Sequence, residues 1–233
     1  MKSIKRIARI AGVLYLLMFP LTIFSISVTS SLIVPGDAGR TANNILASEG
    51  LFRLSFMSDL SVQVVFIYLV LALYKLLKPV NKNHAALMVI LALVGVPIAM
   101  LNRLNQFGAL QLLNSAENFT VFDPDLLHAQ ALFFLDLHEL GINIASIFWG
   151  LWLFPLGYLV FKSGYIPRIF GILMVIGGIG YLVDFFTFFL FPNVEVTISQ
   201  FTFIGEFLLP LWLLIMGIKD RAKKNPALEP ANI

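Results

Sequence analysis

Six long apolar segments, separated by short polar connections, dominate this chain. They cover about residues 7–33, 51–77, 84–113, 127–161, 167–191 and 198–218. A helix that crosses the hydrocarbon core of a bilayer needs about 20 consecutive, mostly apolar residues. Every segment reaches that length, and the connections leave no room for a soluble domain between them. The pattern predicts an all-α polytopic membrane protein, a bundle of six transmembrane helices.

Composition agrees with lipid as the solvent. Of 233 residues, 59% are hydrophobic and only 12% are charged, whereas soluble domains have about 45–50% apolar and about 25% charged residues. The basic start and the long first apolar run indicate a retained span, because the core of a signal peptide has only about 7–15 residues. The absence of cysteine excludes disulfides and thiolate metal ligands. We predict a transmembrane domain over residues 1–218 and a basic cytoplasmic tail over 219–233.

Basic residues predict the orientation of the spans. With the N-terminus inside, 13 of the 16 Lys and Arg residues fall on the inner side, as the positive-inside rule requires. The outer loops instead carry acidic residues: Asp37, Glu49, Glu117, Asp123, Asp125 and Glu195. This asymmetry explains the net charge of +3 without a nucleic-acid partner. We predict a multi-pass protein of a bacterial cytoplasmic membrane, with both termini cytoplasmic.

Ionisable side chains within the spans are the candidate functional groups. Each costs about 2.5–3.5 kcal/mol on insertion scales, so each needs a structural or functional reason. A rise of about 1.5 Å per residue, counted from the basic inner ends, places six of them in the outer third of the membrane. They are Asp59, Arg103, Asp136, Glu139, Asp184 and Glu206.

Helical periodicity, at about 100° per residue, predicts that these side chains face a common interior. In the fourth segment Asp136, Glu139 and Asn143 share one stripe, whereas His138 lies on a separate apolar face, where a packed or hydrogen-bonded histidine is expected. The predicted pocket opens to the outer side. Its candidate lining residues are Asp59, Gln63, Arg103, Gln106, Asp136, Glu139, Asn143, Asp184 and Glu206.

Charge restricts what such a pocket can hold. It would bring five carboxyl groups together with one certain cation, Arg103. Some carboxyls must then be protonated, or a cation must bind, or solvent must reach them. Alternatively, Arg103 pairs with Asp59 or Glu139 only to hold helices together.

Motif searches assign no catalytic residue. Phosphate-binding loops, nucleophile elbows and H-E-x-x-H motifs are absent from the sequence. Three histidines make a His-rich zinc site improbable, and no cofactor is firmly implied. A divalent cation remains possible, because hard cations prefer oxygen ligands. The metal candidates are Asp59, Glu139, Asp184 and Glu206.

Three stretches carry a family resemblance. "RIARIAGVLYLL", "TANNILASEGLFRLSFMSDL" and "LHELGINIASIFWGLWLFPLGYLVFKSGYIPRIFGILMVIGGIGYLVD" resemble the membrane family called domain of unknown function 4386. The resemblance covers nearly the whole chain. It implies a prokaryotic integral membrane protein with several spans, and it supplies no catalytic residues.

The leading functional hypothesis is a binding or transport-related protein whose acid-rich pocket takes a small ligand, a cation or a lipid headgroup. Arg103 would clamp an anion, and the carboxylates would hold a cation or proton. One alternative is an enzyme acting on lipid headgroups, with Asp136 or Glu139 as general base and a bound metal. Another is a non-catalytic structural or regulatory subunit. The sequence leaves the oligomeric state open.

Overall fold

The computed structural model describes residues 2–114, 123–191, 193–194 and 197–217, with the side chains of Lys2 and Ser3 excepted. Within these ranges the secondary structure is entirely helical, and nine helices follow one another. They are α1 Lys2–Leu32, α2 Ala38–Ala47, α3 Glu49–Leu77, α4 Lys82–Asn114, α5 Pro124–Leu151, α6 Leu153–Ser163, α7 Arg168–Leu190, α8 Ser199–Thr202 and α9 Ile204–Ile215.

Five helical stretches of the described chain are long and apolar enough to cross a membrane. They are Ile4–Leu32, Glu49–Leu77, Lys82–Asn114, Pro124–Ser163 and Arg168–Leu190. The predicted all-helical, multi-pass architecture is therefore confirmed.

The sixth predicted span is represented by a shorter apolar stretch, Ser199–Ile215. This stretch is divided at Phe203 into α8 and α9, so a sixth crossing stays a prediction, as does the orientation of the termini. The predicted tail over 219–233 lies outside the described residues.

The chain forms two compact units. Unit 1 comprises residues 1–17, 65–96 and 145–233, and unit 2 comprises residues 18–64 and 97–144. The candidate residues divide between them. Asp184 and Glu206 belong to unit 1, and the other seven, from Asp59 to Asn143, belong to unit 2.

Unit 2 has an apolar core at the end of the unit that contains α2. Asp37 caps α2 by accepting a hydrogen bond from the Arg40 amide at 2.9 Å, a favourable N-cap arrangement. The buried face of α2 contributes Ile45, which is fully buried together with Phe52 and Leu110 from α3 and α4.

Unit 1 is held by glycines at helix contacts. A Cβ atom built on Gly171 of α7 would lie 2.6 Å from the Gly157 carbonyl oxygen of α6, and one on Gly150 would lie 2.9 Å from the Gly178 carbonyl oxygen. Neither position accepts a larger residue unless backbone moves. Small residues permit this close approach of membrane helices.

The long fourth apolar segment is broken between α5 and α6. Pro155 has no N–H to offer the Leu151 carbonyl, four residues earlier, and Leu151 is where α5 ends. The helix resumes at Leu153 and ends at Ser163, and the next residue, Gly164, has a φ of 70°, the left-handed conformation that favours glycine.

Tyr165 follows this break in the connection to α7. Its hydroxyl donates to the Leu76 carbonyl at 2.7 Å. Burial raises the pKa of the Tyr165 phenol, so the group stays a neutral donor at physiological pH. It therefore fastens the α6–α7 connection to the end of α3 within unit 1.

Candidate functional site

A buried ion pair lies at the centre of the polar residues of unit 2. Arg103 Nη1 of α4 lies 2.8 Å from Asp59 Oδ2 of α3, and each side chain is 10% exposed. The Ser25 hydroxyl of α1 donates to the same carboxylate oxygen. Removing two charges from water is costly, and a buried pair is tolerated only with close geometry and additional hydrogen bonds. Both conditions are met here.

His138 of α5 is the third member of this cluster. Its Nε2 lies 2.8 Å from Arg103 Nη1. Because a guanidinium can only donate, Nε2 must accept, and the neutral imidazole carries its proton on Nδ1. Asn102 faces Nδ1 with its backbone carbonyl oxygen at 3.3 Å and its side-chain nitrogen at 3.0 Å, and of these two atoms only the carbonyl oxygen can accept this proton. His138 is therefore a neutral acceptor for Arg103.

Asn102 joins α4 to α5 beside this histidine. Its amide nitrogen donates to the His138 carbonyl at 2.8 Å, and its side-chain oxygen accepts from Asn105 at 2.9 Å. A Cβ atom on Gly141 would overlap the Asn102 side chain. The absence of a side chain at Gly141 therefore leaves the space that the Asn102 side chain occupies. We call Ser25, Asp59, Asn102, Arg103, Gln106 and His138 the Asp59–Arg103 cluster.

The facing of α5 differs from the sequence prediction. Asp136 and Glu139 are exposed, whereas His138 is only 8% exposed. The prediction that both acids face the interior is wrong, whereas His138 does lie on a separate, largely apolar face. Apolar packing decides which side is buried: Ala131, Leu135 and His138 form one helical stripe with little exposure.

Asn143 shared the predicted stripe with these two acids. It is half-buried, and its amide nitrogen donates to the Glu139 carbonyl of its own helix at 3.0 Å. Ligand contacts by Asp136, Glu139 and Asn143 stay predictions.

A buried oxygen next to the cluster lacks a hydrogen-bond partner. Arg103 Nη1 contacts Asp59, His138 and the Gln106 side-chain oxygen, the last at 3.2 Å. Gln63 lies one turn from Asp59, and its buried Oε1 has no partner in the described part of the chain. Buried polar groups are normally paired, so this oxygen is an exception.

Unit 1 holds the other two candidate carboxyl groups, and each has partners of its own, although Glu206 Oε1 is buried without a hydrogen-bond partner in the described part of the chain. Glu206 of α9 accepts a hydrogen bond from the Tyr15 hydroxyl at 2.8 Å, and the Tyr181 phenol lies close to the same carboxyl. Asp184 accepts from the backbone amides of Ile198 and Ser199, at 2.5 and 2.8 Å. The Asp184 carboxylate therefore caps the start of α8.

The described residues do not bring together a set of ligands for the divalent cation that the sequence allowed. Within the described ranges, no three His, Cys, Asp or Glu side chains come close enough together to hold a metal ion. The metal candidates Asp59, Glu139, Asp184 and Glu206 thus form no such group there.

Sequence reasoning did not select Ser25, Asn102, His138 or Tyr15 as pocket residues, although it expected a packed or hydrogen-bonded His138. One available signal was Gly141, because a glycine three residues after His138 lies on the same helical face. Such a position permits the close approach of a neighbouring polar side chain.

Comparison with known proteins identifies the family. A family model described as "Domain of unknown function (DUF4386)" matches residues 10–217. The chain belongs to this family. The DUF4386 match includes all six residues of the Asp59–Arg103 cluster, and the predicted family membership is confirmed.

The comparison with known proteins also found one relative, but no matching solved structure. An uncharacterized protein of Archaeoglobus fulgidus is 33% identical to this DUF4386 protein over 148 residues, which is 64% of this chain and 74% of the relative. No solved structure matches the chain. The comparisons thus support an uncharacterised membrane family and assign no chemistry to it.

Proposed function

We propose that this DUF4386 protein is a membrane-embedded binding protein whose site is the Asp59–Arg103 cluster with Gln63. Its ligand is a small polar molecule that carries an anionic acceptor and a cationic donor. One observation carries this proposal. The buried Oε1 of Gln63 has no partner in the described part of the chain, one helical turn from the Asp59 carboxylate that pairs with Arg103.

The geometry of arginine favours an anionic group at one end of the ligand. Nε–H and Nη2–H point in parallel, and this fork matches the two oxygens of a carboxylate or phosphate. The unpaired oxygen of Gln63, beside the Asp59 carboxylate, suits an ammonium group at the other end. A carboxylate, a guanidinium and a neutral imidazole sum to no net charge, so a zwitterion adds none to a region where an unpaired charge is expensive.

The positions of the residues along their helices suit entry from the outer side. Asp59 follows Glu49, the first residue of α3, by ten residues, or about 15 Å. Arg103 precedes Asn114, the last residue of α4, by eleven residues, or about 16 Å. With the predicted orientation, in a prokaryotic cytoplasmic membrane with both termini inside, those two helix ends face outward.

A second candidate function is a structural subunit. The direct 2.8 Å contact between Arg103 and Asp59 favours it, because the pair, Ser25 and His138 together connect α1, α3, α4 and α5. In that case the cluster only specifies packing.

Binding of glycerophosphoethanolamine, a phosphodiester zwitterion, to the full chain in nanodiscs separates the two functions. Inorganic phosphate and ethanolamine serve as probes with only one sign of charge. The Gln63→Leu variant removes an unpaired oxygen and leaves the ion pair intact, and Ser61→Ala on an exposed part of α3 is the matched control. We expect Gln63→Leu to weaken glycerophosphoethanolamine binding by about tenfold, equivalent to about 1.4 kcal/mol, with an unchanged unfolding temperature.

Two results would contradict the binding function. If none of the three probes binds the wild-type protein while Asp59→Asn unfolds it, the cluster is structural. If the probes bind equally to Gln63→Leu and to the wild-type protein, the site lies elsewhere.

A further inference from the structure

The first turns of α1 border a cavity that the proposed binding site does not use. Its volume is about 460 Å³, and its lining includes Lys5, Arg6, Arg9, Ile10, Val13 and Leu14. All six residues belong to unit 1, whereas the Asp59–Arg103 cluster belongs to unit 2. We call this cavity the α1 groove.

The α1 groove changes from basic to aliphatic along one side of the helix. One face of the helix carries Arg6, then Arg9 or Ile10, and then Val13. From Lys5 to Leu14 the helix rises about 14 Å. The three cations therefore lie at one end of the groove, and the three aliphatic side chains extend it into the predicted membrane span Ile4–Leu32.

Packing fixes which side of α1 carries the groove. A Cβ atom on Gly12 would lie 2.8 Å from the Pro210 carbonyl oxygen of α9, so that side of α1 contacts backbone. Ala8 and Ala11 are fully buried. Arg9 and Val13 are exposed. The groove thus lies on the exposed side of α1, and the other side of this helix packs against α9.

We propose that the α1 groove binds the headgroup phosphate of an anionic phospholipid, with an acyl chain along Ile10, Val13 and Leu14. Three cations and no acid are present among the described lining residues, and basic pockets at the ends of membrane helices bind anionic headgroups. The aliphatic half favours a lipid over a soluble phosphate, since a free anion would contact the basic end alone.

For the test, each full-length protein is reconstituted in phosphatidylcholine vesicles that contain phosphatidylglycerol. The amount of phosphatidylglycerol that each protein retains is then compared between the variants and the wild-type protein. The variant Arg6→Gln/Arg9→Gln removes two exposed charges. The control Lys75→Gln/Lys78→Gln removes the same charge from exposed positions outside the groove. We expect the groove variant to lose roughly fivefold in affinity for each arginine, about 25-fold together, and the control to bind like the wild-type protein.

A second variant separates a lipid from a free anion. Ile10→Ser/Val13→Ser keeps the cations and removes aliphatic contacts, so we expect weaker retention of phosphatidylglycerol. Unchanged retention in this variant, together with displacement of the lipid by inorganic phosphate, would make the groove a site for soluble anions. Equal losses in the groove variant and the lysine control would show diffuse surface attraction. Either result would overturn the proposal.

Discussion

At the scale of single residues, His138 and Glu139 show how narrowly a polar site is defined. They are adjacent in the chain, yet His138 accepts from Arg103 at 2.8 Å while Glu139 is exposed. The sequence predicted Asp59, Gln63, Arg103 and Gln106 as interior pocket residues, and all four are buried in unit 2; their role as ligand contacts stays a prediction. It misjudged α5 because charge was used to choose the inner face, whereas the apolar residues Ala131 and Leu135 determine it.

Gly141→Ala tests the contact between Asn102 and α5. Alanine is the better helix former by up to about 1 kcal/mol, but its Cβ would overlap the Asn102 side chain. We expect a loss of about 1–3 kcal/mol in the free energy of unfolding, typical of overpacking. Gly50→Ala is the control, because no atom lies within 4 Å of its added Cβ. Thermal unfolding in detergent measures both, and a stabilised Gly141→Ala protein would refute the contact.

At the scale of helices, the apolar segments were predictable because length and hydropathy decide whether a segment can span a bilayer. Breaks within them were harder to foresee. Pro155 interrupts the fourth segment and Phe203 lies between α8 and α9. The side chain that caps the start of α8 was also not predictable from the sequence, because the two backbone amides that contact Asp184 lie 14 and 15 residues away in the chain.

Asp184 distinguishes a capping role from a ligand role. If it caps α8, Asp184→Ala loses about 0.5–2 kcal/mol of stability, and Asp184→Asn, which keeps one acceptor oxygen, loses less. Glycerophosphoethanolamine binding should be the same in both variants and in the wild-type protein. Lower probe affinity in Asp184→Asn at unchanged unfolding temperature would return this residue to the ligand site.

At the scale of the whole molecule, the number of crossings fixes the side on which the chain ends. Five described stretches meet the length and hydropathy of a span, and Ser199–Ile215 is shorter. Six crossings put both termini on one side of the membrane, whereas five put them on opposite sides. The charge asymmetry of the sequence favours six.

The cysteine-free chain makes this number measurable. Single replacements Asp37→Cys, Asn193→Cys and Ile233→Cys give three labelling sites in a protein with no other thiol. With a membrane-impermeant maleimide on intact cells, we expect labelling at positions 37 and 193, and at 233 only after the cells are opened. Labelling of position 233 from outside would mean that the stretch Ser199–Ile215 does not cross.

The ion pair between Asp59 and Arg103 also has a consequence for biogenesis. Synthesis proceeds from the N-terminus at about 5–20 residues per second, so Ser25 and Asp59 leave the ribosome before Arg103. An arginine that enters the membrane alone costs about 2.5–3.5 kcal/mol. When α4 arrives, its counter-ion is already in place, and His138 follows later with the last contact. The order of these residues in the chain is thus also the order in which the charge is neutralised.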